Sequence, residues 1–319
     1  MTRFSSHLAP ELRRFLAFKR ALGHPYERGE HTLRSFDRYV GEHAGGRAAV
    51  RLEELMQGWL SRIEGRKPVT VATDLGVLRQ LCLFRRRSDP QAFVPPRGWA
   101  PQPTHSQFLP HIFSEEEVRA LLVAAQALRG PPPRAHTIRL LMLILYCTGL
   151  RFGEAVRLRR RDIQIDEDLL VVRESKGKTR LVPFRPDLRG ELLAYVQVRE
   201  AIVGVAPDSA FLVHPDGRPY SIRKASDTVR SLLRRTGLKP AKGRAGPRPY
   251  DFRHTFAVHR LTQWYRAGLD VDARLPWLSA YMGHENLLGT EAYLRATPDL
   301  LALTSCRFEA RLRGEERSS

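Results

Sequence analysis

The sequence predicts a mainly α-helical chain with one small antiparallel β-sheet, an α+β architecture in two domains. Apolar residues recur at helical spacing up to about residue 90 and again after residue 114. Short runs rich in β-branched residues, bounded by polar turn residues, lie within residues 163–184. A proline cluster between the helical parts predicts a stiff linker over residues 95–113, because proline fixes φ and lacks an amide donor. The cluster consists of Pro95, Pro96, Pro101, Pro103 and Pro110.

Four amphipathic segments in the first part predict a small helical bundle. The first of them places Leu12, Phe15 and Leu16 on one helical face, and three further segments up to Phe84 repeat this pattern. Such faces are stable only when they are buried against one another. We therefore predict a helical domain over residues 1–94.

A second domain is predicted over residues 114–319. Ser114 starts its first helix, with Glu117 three residues later in the spacing of a capping box. An apolar run at residues 140–147 predicts a buried helix that ends at Gly149, and an Arg-rich helix follows. The predicted strands are 163–165, 169–173 and 180–184, in two hairpins, and further helices are predicted near residues 187, 221, 251, 271, 286 and 298.

The composition indicates a polyanionic partner. Lys and Arg number 53 against 34 Asp and Glu, so the net charge is +19 and the pI is near 10.7. A chain this basic usually binds nucleic acid, although a genome that favours Arg codons is an alternative explanation. Three widely spaced cysteines predict reduced core residues in a cytoplasmic protein. We expect neither a membrane span nor a signal peptide, since no long apolar run and no basic-then-apolar start are present.

Several familiar kinds of site do not match the sequence. Gly177-Lys178-Thr179 resembles the end of a phosphate-binding loop, but Val172 stands where that loop needs its first glycine. His254 and His259 are five residues apart and therefore do not share a helical face as metal ligands do. No zinc-spaced cysteines and no paired carboxylates stand out, so we expect neither a metal nor a cofactor.

Four boxes carry residues suited to phosphoryl transfer without a metal. This reaction needs a nucleophile, an acid for the leaving oxygen, and cations that neutralise charge on the other phosphorane oxygens. The boxes are Thr148-Gly149-Leu150-Arg151 with Glu154, Ser175-Lys176-Gly177-Lys178, Tyr250-Asp251-Phe252-Arg253-His254-Thr255-Phe256-Ala257, and Met282-Gly283-His284 followed by Tyr293.

In order and spacing, these boxes resemble those of the tyrosine recombinases, the lambda-integrase and Xer type of the phage integrase family. The resemblance covers residues 114 to about 300. The helical first third is similar to the family's SAM-like core-binding domain only in size and helicity. The resemblance implies a tyrosine-recombinase catalytic domain and a two-domain clamp around duplex DNA. It also implies site-specific cleavage and rejoining through a 3′-phosphotyrosyl intermediate, without metal or ATP.

The resemblance assigns a role to each matching residue of the first, third and fourth boxes. Arg151 and Arg253 match the two arginines that hold the scissile phosphate and stabilise its transition state. His284 matches the histidine that donates to the phosphate or assists the nucleophile. Tyr293 matches the nucleophile.

The second box and Tyr250 leave alternatives open. Lys176 matches the hairpin lysine that protonates the leaving 5′ oxygen, and Lys178 is its competitor. Tyr250 departs from the family, which most often has histidine at this position. With a reference pKa of about 10, a phenol donates a hydrogen bond but is a poor proton shuttle near pH 7. Tyr250 therefore positions the phosphate only, or other groups handle the proton, and His254 is expected to be structural.

The partners implied by the resemblance are double-stranded DNA with a specific recombination site and further copies of the chain. The copies would form a homo-tetramer on DNA, or a tetramer shared with related recombinase subunits. Apolar residues from Leu300 to Leu312 would pack on their own domain or on a neighbouring subunit. The helix predicted from Asp251, with its Trp264-Tyr265 pair, resembles transposon-borne members.

Two other functions stay open at this point. A DNA-binding accessory subunit of a mobile element would bind specifically without a covalent adduct, and Tyr250 is its support. A type IB topoisomerase-like enzyme would relax plasmid that lacks a cognate site.

Overall fold

The chain forms two compact units, Met1–Phe108 and Leu109–Ser319. The computed structural model describes residues 4–44, 50–101, 110–175 and 178–284. Each unit has hydrophobic clusters of its own. No helix in the described ranges is both long enough and apolar enough to cross a membrane.

Unit 1 contains a four-helix bundle. Its helices are α1 (Ala9–Ala21), α2 (Glu27–His43), α3 (Leu52–Ser61) and α4 (Pro68–Arg85), followed by a 3₁₀ turn at Arg97–Trp99. Most of the apolar faces predicted from the sequence are buried, and Leu12, Phe15 and Leu33 are fully buried. Leu22 and Ile63, which the same spacing assigned to these faces, are each 56% exposed because they lie beyond the ends of α1 and α3. Trp99 and Ala100, which lie within the predicted linker, pack on the core of this unit.

Unit 2 is a helical domain built around one buried helix. Its helices are α5 (Glu115–Gln126), α6 (Arg134–Thr148), α7 (Phe152–Val156), α8 (Pro186–Val203), α9 (Ile222–Arg235), α10 (Asp251–Arg266) and α11 (Val271–Met282). Apolar residues lie on most sides of α6, so α5, α8 and α10 all pack against it. The Ser114 side chain caps α5, and Glu117 completes the predicted capping box.

One small sheet lies in unit 2. The strands β1 (Ile163–Gln164), β2 (Leu169–Ser175) and β3 (Lys178–Pro183) pair antiparallel in chain order, so two hairpins share β2. The register sets Val172 opposite Arg180 and Leu170 opposite Val182. Val182 is fully buried whereas Leu181 is 58% exposed. The strand period of two therefore puts Arg180 on the core-facing side of β3.

The predicted fold class, mainly helical with a small antiparallel sheet, is confirmed. The helix predicted after Gly149 is present as α7, but it is not Arg-rich: it ends after five residues at Val156, before the arginines at 157 and 159–161. Leu158 is buried and its carbonyl accepts the Phe211 N–H at 2.8 Å. The tertiary hydrogen bond between Leu158 and Phe211 therefore competes with continuation of the helix beyond Val156.

Candidate active site

The turn between α6 and α7 forms the first part of the site. Gly149 ends α6 with a left-handed φ of +62°, and a side chain there would collide with the ring of Phe256. Only glycine satisfies both conditions without strain. The turn places Arg151 directly before α7, where the Glu154 carboxylate accepts the Arg151 backbone N–H at 2.9 Å.

Arg253, in the first turn of α10, forms the second part. Its side chain is only 1% exposed. Nη1 donates to the Gly149 carbonyl and Nη2 to the Met282 carbonyl, each at 2.7 Å. A buried guanidinium without such acceptors would be strongly destabilising. Arg253 therefore joins the end of α6 to the end of α11.

The end of α11 forms the third part. Gly283 adopts a left-handed φ of +69°, which ends the helix and turns the chain toward His284. The Arg151 Nη2 donates to the Gly283 carbonyl at 2.6 Å. The last carbonyls of a helix have no partners within it and carry partial negative charge, so they are good acceptors for arginine.

Three of the four sequence boxes therefore meet at one point. Arg151 and Arg253 bind the consecutive carbonyls of Gly283 and Met282, and His284 is the next residue along the chain. The structure thus brings together three predicted site residues, one directly before α7, one in the first turn of α10 and one just after α11. Three groups able to carry positive charge gathered at one helix end make a suitable place for an anion.

The cations around His284 affect its protonation. Burial, followed by the charges of Arg253, Arg151 and Arg180, lowers the pKa of His284 to about 4. The imidazole is therefore neutral near pH 7. A neutral imidazole has one nitrogen that donates and one that accepts, so it can both bind an oxygen and take up a proton.

Tyr250 directly precedes α10, three residues before Arg253. It is 40% exposed, and its ring contacts His254 edge to face with centroids 5.1 Å apart. Burial lowers the pKa of His254. The exposed phenol of Tyr250 thus lies at the start of the helix that carries Arg253. The lowered pKa of His254 means that this imidazole favours its neutral form.

Lys176 and Tyr293 lie outside the described residues, and their predicted roles stay predictions. Lys178, the alternative to Lys176, begins β3 opposite Ser175. Among the residues that the structure does describe, no group of three or more His, Cys, Asp or Glu side chains has the arrangement of a metal site.

Two residues absent from the predicted set join the site. Glu154, with a side chain 2% exposed, accepts from Arg151 Nη1 at 2.8 Å and from Arg180 Nη1 and Nη2 at 3.1 and 2.8 Å. Glu154 already stood in the first box. The signal for Arg180 is its alternation with the apolar Val182 and Phe184, which places a cation on the core-facing side of a strand.

Comparisons with known proteins agree with these observations. The model of the phage integrase family matches residues 111–299. A putative integrase/recombinase y4rE of Sinorhizobium fredii is 33% identical over 96% of this chain and 97% of its own length. Tyrosine recombinase XerA of Thermococcus kodakarensis is 32% identical over 65% of this chain and 66% of its own.

A solved structure has a similar fold. The XerH site-specific recombinase, bound to its palindromic difH substrate in a post-cleavage complex, aligns with a TM-score of 0.67. The alignment covers 88% of this chain and 80% of XerH at 18% identity, which supports the fold. Together with the family match over residues 111–299, these similarities show that the chain belongs to the phage integrase family of tyrosine recombinases.

Proposed function

We propose that this recombinase cleaves and rejoins specific DNA sites with Tyr293 as the nucleophile. The observation that carries the proposal is the pair of guanidinium groups on consecutive carbonyls at the end of α11, with His284 beside them. Arg151 and Arg253 would hold the non-bridging oxygens of the scissile phosphate. They would stabilise the charge that develops in the transition state, where one such donor is worth about 10²–10³ in rate.

The proposed reaction has two balanced steps. The Tyr293 oxygen attacks phosphorus and the bond to the 5′ oxygen breaks, which leaves a 3′-phosphotyrosyl ester and a 5′ hydroxyl. The phenol proton passes to the neutral imidazole of His284, whose pKa rises once the bound phosphate offsets the charges of Arg151 and Arg253. Lys176 supplies a proton to the 5′ oxygen. A 5′ hydroxyl of a partner duplex then attacks the ester and gives its proton to Lys176, while the bond from phosphorus to Tyr293 breaks and the tyrosine oxygen takes its proton back from His284. One ester replaces another, so the bond energy is retained.

Tyr250 is proposed to position the phosphate and to leave proton transfer to other groups. Its phenol lies at the exposed start of α10, and its partner in ring contact, His254, has a lowered pKa. A hydrogen bond from the phenol to a phosphate oxygen needs no change in protonation near pH 7.

A basic loop before α10 supports DNA as the partner. The ammonium of Lys239, 6% exposed, donates to the carbonyls of Arg244 at 3.2 Å and Pro247 at 3.3 Å, and also to that of Ala245. These bonds fold residues 240–249 around one buried cation. The loop therefore has a defined shape and ends directly at the start of α10.

The exposed cations of this loop are proposed to contact DNA phosphates. Lys242 and Arg244 are both exposed. Each phosphate contact releases counterions, so Lys242→Ala and Arg244→Ala should each lower the salt dependence of DNA affinity by about one unit of log–log slope. Arg218→Ala, which removes an 84% exposed arginine paired with Asp216, serves as the control. Equal slopes for all three variants would contradict this assignment.

We further propose that residues 1–94 act as a core-binding DNA-binding domain, that 95–113 form a linker and that 114–319 form the catalytic domain. The active assembly is proposed to be a homo-tetramer on two DNA sites in the bacterial cytoplasm. XerH, a relative in fold, is bound to its DNA substrate in a post-cleavage complex, which supports a DNA substrate here.

A nicked suicide substrate tests the function. A duplex is selected from a random pool by its binding to the full-length chain and then prepared with nicks near its centre. The nick lets the 5′ fragment diffuse away, so the wild type should accumulate a covalent adduct that survives denaturant, with the phosphate on Tyr293. Tyr293→Phe should bind the duplex without forming the adduct, whereas Tyr220→Phe should behave like the wild type.

Each outcome separates the candidates. An equal yield of adduct from Tyr293→Phe would refute the nucleophile. Specific binding by the wild type without any adduct would favour the accessory subunit. Relaxation of a plasmid that lacks the selected site would favour the topoisomerase-like enzyme.

A further inference from the structure

Arg180 connects parts of the site that are distant along the chain. It lies on β3, and its side chain is 14% exposed. Its Nη1 and Nη2 bind both oxygens of Glu154 at 3.1 and 2.8 Å, and its Nε donates to the Tyr281 carbonyl at 3.0 Å. One planar group therefore joins the sheet, the start of α7 and the end of α11.

Only arginine can make this set of bonds. The guanidinium presents its donors in a rigid fork that fits a carboxylate through two parallel bonds while Nε still points elsewhere. The core-facing position of Arg180, in line with Val182, directs this fork inward. Gly283 completes the fit, because a Cβ at this residue would lie 2.9 Å from the Arg180 guanidinium carbon.

Two acceptors of the Arg151 side chain depend on these contacts. Arg151 Nη1 binds Glu154 at 2.8 Å, and its Nη2 binds the Gly283 carbonyl at 2.6 Å. Arg180 holds the same Glu154 carboxylate and also the Tyr281 carbonyl, two residues before Gly283. Without Arg180, the Glu154 carboxylate would lose two hydrogen bonds and the turn would lose one, and both of these groups orient Arg151.

We propose that Arg180 is a positioning residue for strand cleavage: it holds Glu154 and the 281–283 turn, and through them sets the direction of the Arg151 guanidinium. It does so without contacting the DNA itself. The proposal rests on the proposed function, since it concerns the residue that would hold the scissile phosphate. Small displacements of such a group are costly, and a shift of about 1 Å can reduce the rate about 100-fold.

Arg180→Met, compared with Arg173→Met, tests the proposal. Arg173 lies in the same sheet and binds a buried carboxylate, that of Asp162, through Nε at 2.6 Å. Both substitutions remove one arginine of the sheet and leave one buried carboxylate without it. Because Arg180 is more buried than Arg173, urea unfolding of both variants is measured alongside and the rates are compared for the folded protein. The single-turnover rate of adduct formation on the nicked duplex should fall about 100-fold in Arg180→Met and stay within about threefold in Arg173→Met.

A substrate with a neutral scissile phosphate separates positioning from a loss of folding. A methylphosphonate at this phosphate removes the charge that Arg151 would neutralise. The deficit of Arg180→Met should therefore shrink by about tenfold or more on this substrate. In an Arg151→Ala background, Arg180→Met should add less than about threefold, since its effect passes through Arg151.

Four results would overturn the proposal. They are equal rates for the two methionine variants, an equal deficit on charged and neutral phosphates, a full second loss in the Arg151→Ala background, and full activity of Arg180→Lys. Arg180→Lys keeps the positive charge but lacks the forked donors of the guanidinium. It also takes the place of Arg180→Met in these measurements if that variant does not fold. A wild type and an Arg173→Met that both form no adduct would instead overturn the proposed function.

Discussion

Two buried carboxylates near the start of unit 2's sheet have the same local design and different surroundings. Glu154 accepts the backbone N–H of Arg151 at 2.9 Å, and Asp162 accepts that of Arg159 at 2.9 Å, each three residues before itself. Each also binds an arginine of the sheet, because both carboxylates are 5% exposed or less and need a cation.

The difference lies in what else each carboxylate holds. Glu154 binds the side chains of two arginines, and both of these also reach carbonyls at the end of α11. Arg173, the sheet partner of Asp162, is 45% exposed. Of these two similar helix-start carboxylates, Glu154 therefore belongs to the candidate site because its arginines also bind a distant segment, the end of α11.

Replacement of each carboxylate by its amide should give the largest difference in cleavage between the two positions. Glu154→Gln leaves two arginines without their anion, so adduct formation should fall about 10³-fold and the free energy of unfolding by about 3 kcal/mol. Asp162→Asn should also lower the free energy of unfolding, but cleavage by the folded protein should stay within about threefold. Single-turnover cleavage and urea unfolding measure both effects, and similar losses of cleavage would make the two carboxylates equivalent.

Two glycines with the same backbone conformation separate an effect on the site from an effect on stability. Gly283 and Gly268 share a φ of +69°, but a Cβ would meet the Arg180 guanidinium only at Gly283, and no atom within 4 Å at Gly268. Alanine at either position should cost about 1–2 kcal/mol of unfolding free energy. Only Gly283→Ala should also slow adduct formation, by about tenfold. If Gly268→Ala slows it as much, the effect comes from stability and not from the site.

The pKa of His284 tests the difference between Arg180 and Arg173 most directly. Because Arg180 is among the charges that lower this pKa, Arg180→Met should raise it from its value of about 4, and Arg173→Met should leave it unchanged. NMR titration of the His284 ring protons measures the shift directly. An unchanged pKa in Arg180→Met would show that Arg180 is not close enough to act on the imidazole.

The same shift sets a dependence of stability on pH. In the folded state the pKa of His284 is about 4, below the ordinary 6.5. The unfolded chain therefore binds the proton more readily between these values. The free energy contributed by His284 is complete above about pH 6.5 and is lost as the pH falls toward 4. His284→Asn should reduce this loss in urea unfolding measured across that range.

Features that depend on neighbours along the chain were predictable. The helices of unit 1 follow from apolar spacing, and the Ser114 capping box and the glycine at 149 follow from residue type. Glu154 could be picked out as part of the first box, but its ion pair with Arg180 could not be predicted from the sequence. The short length of α7 was not predictable either, since it depends on a contact between Leu158 and Phe211.

The sequence by itself determined which residues could form a phosphate site, because the order of the four boxes and the strand period are properties of the chain. Tertiary structure alone decided which carbonyls the arginines bind. The Gly149 and Met282 carbonyls that Arg253 binds lie 104 and 29 residues away, and the Gly283 carbonyl that Arg151 binds lies 132 residues away. Such partners are chosen by how the ends of α6 and α11 pack, since a buried guanidinium must find acceptors wherever the fold provides them.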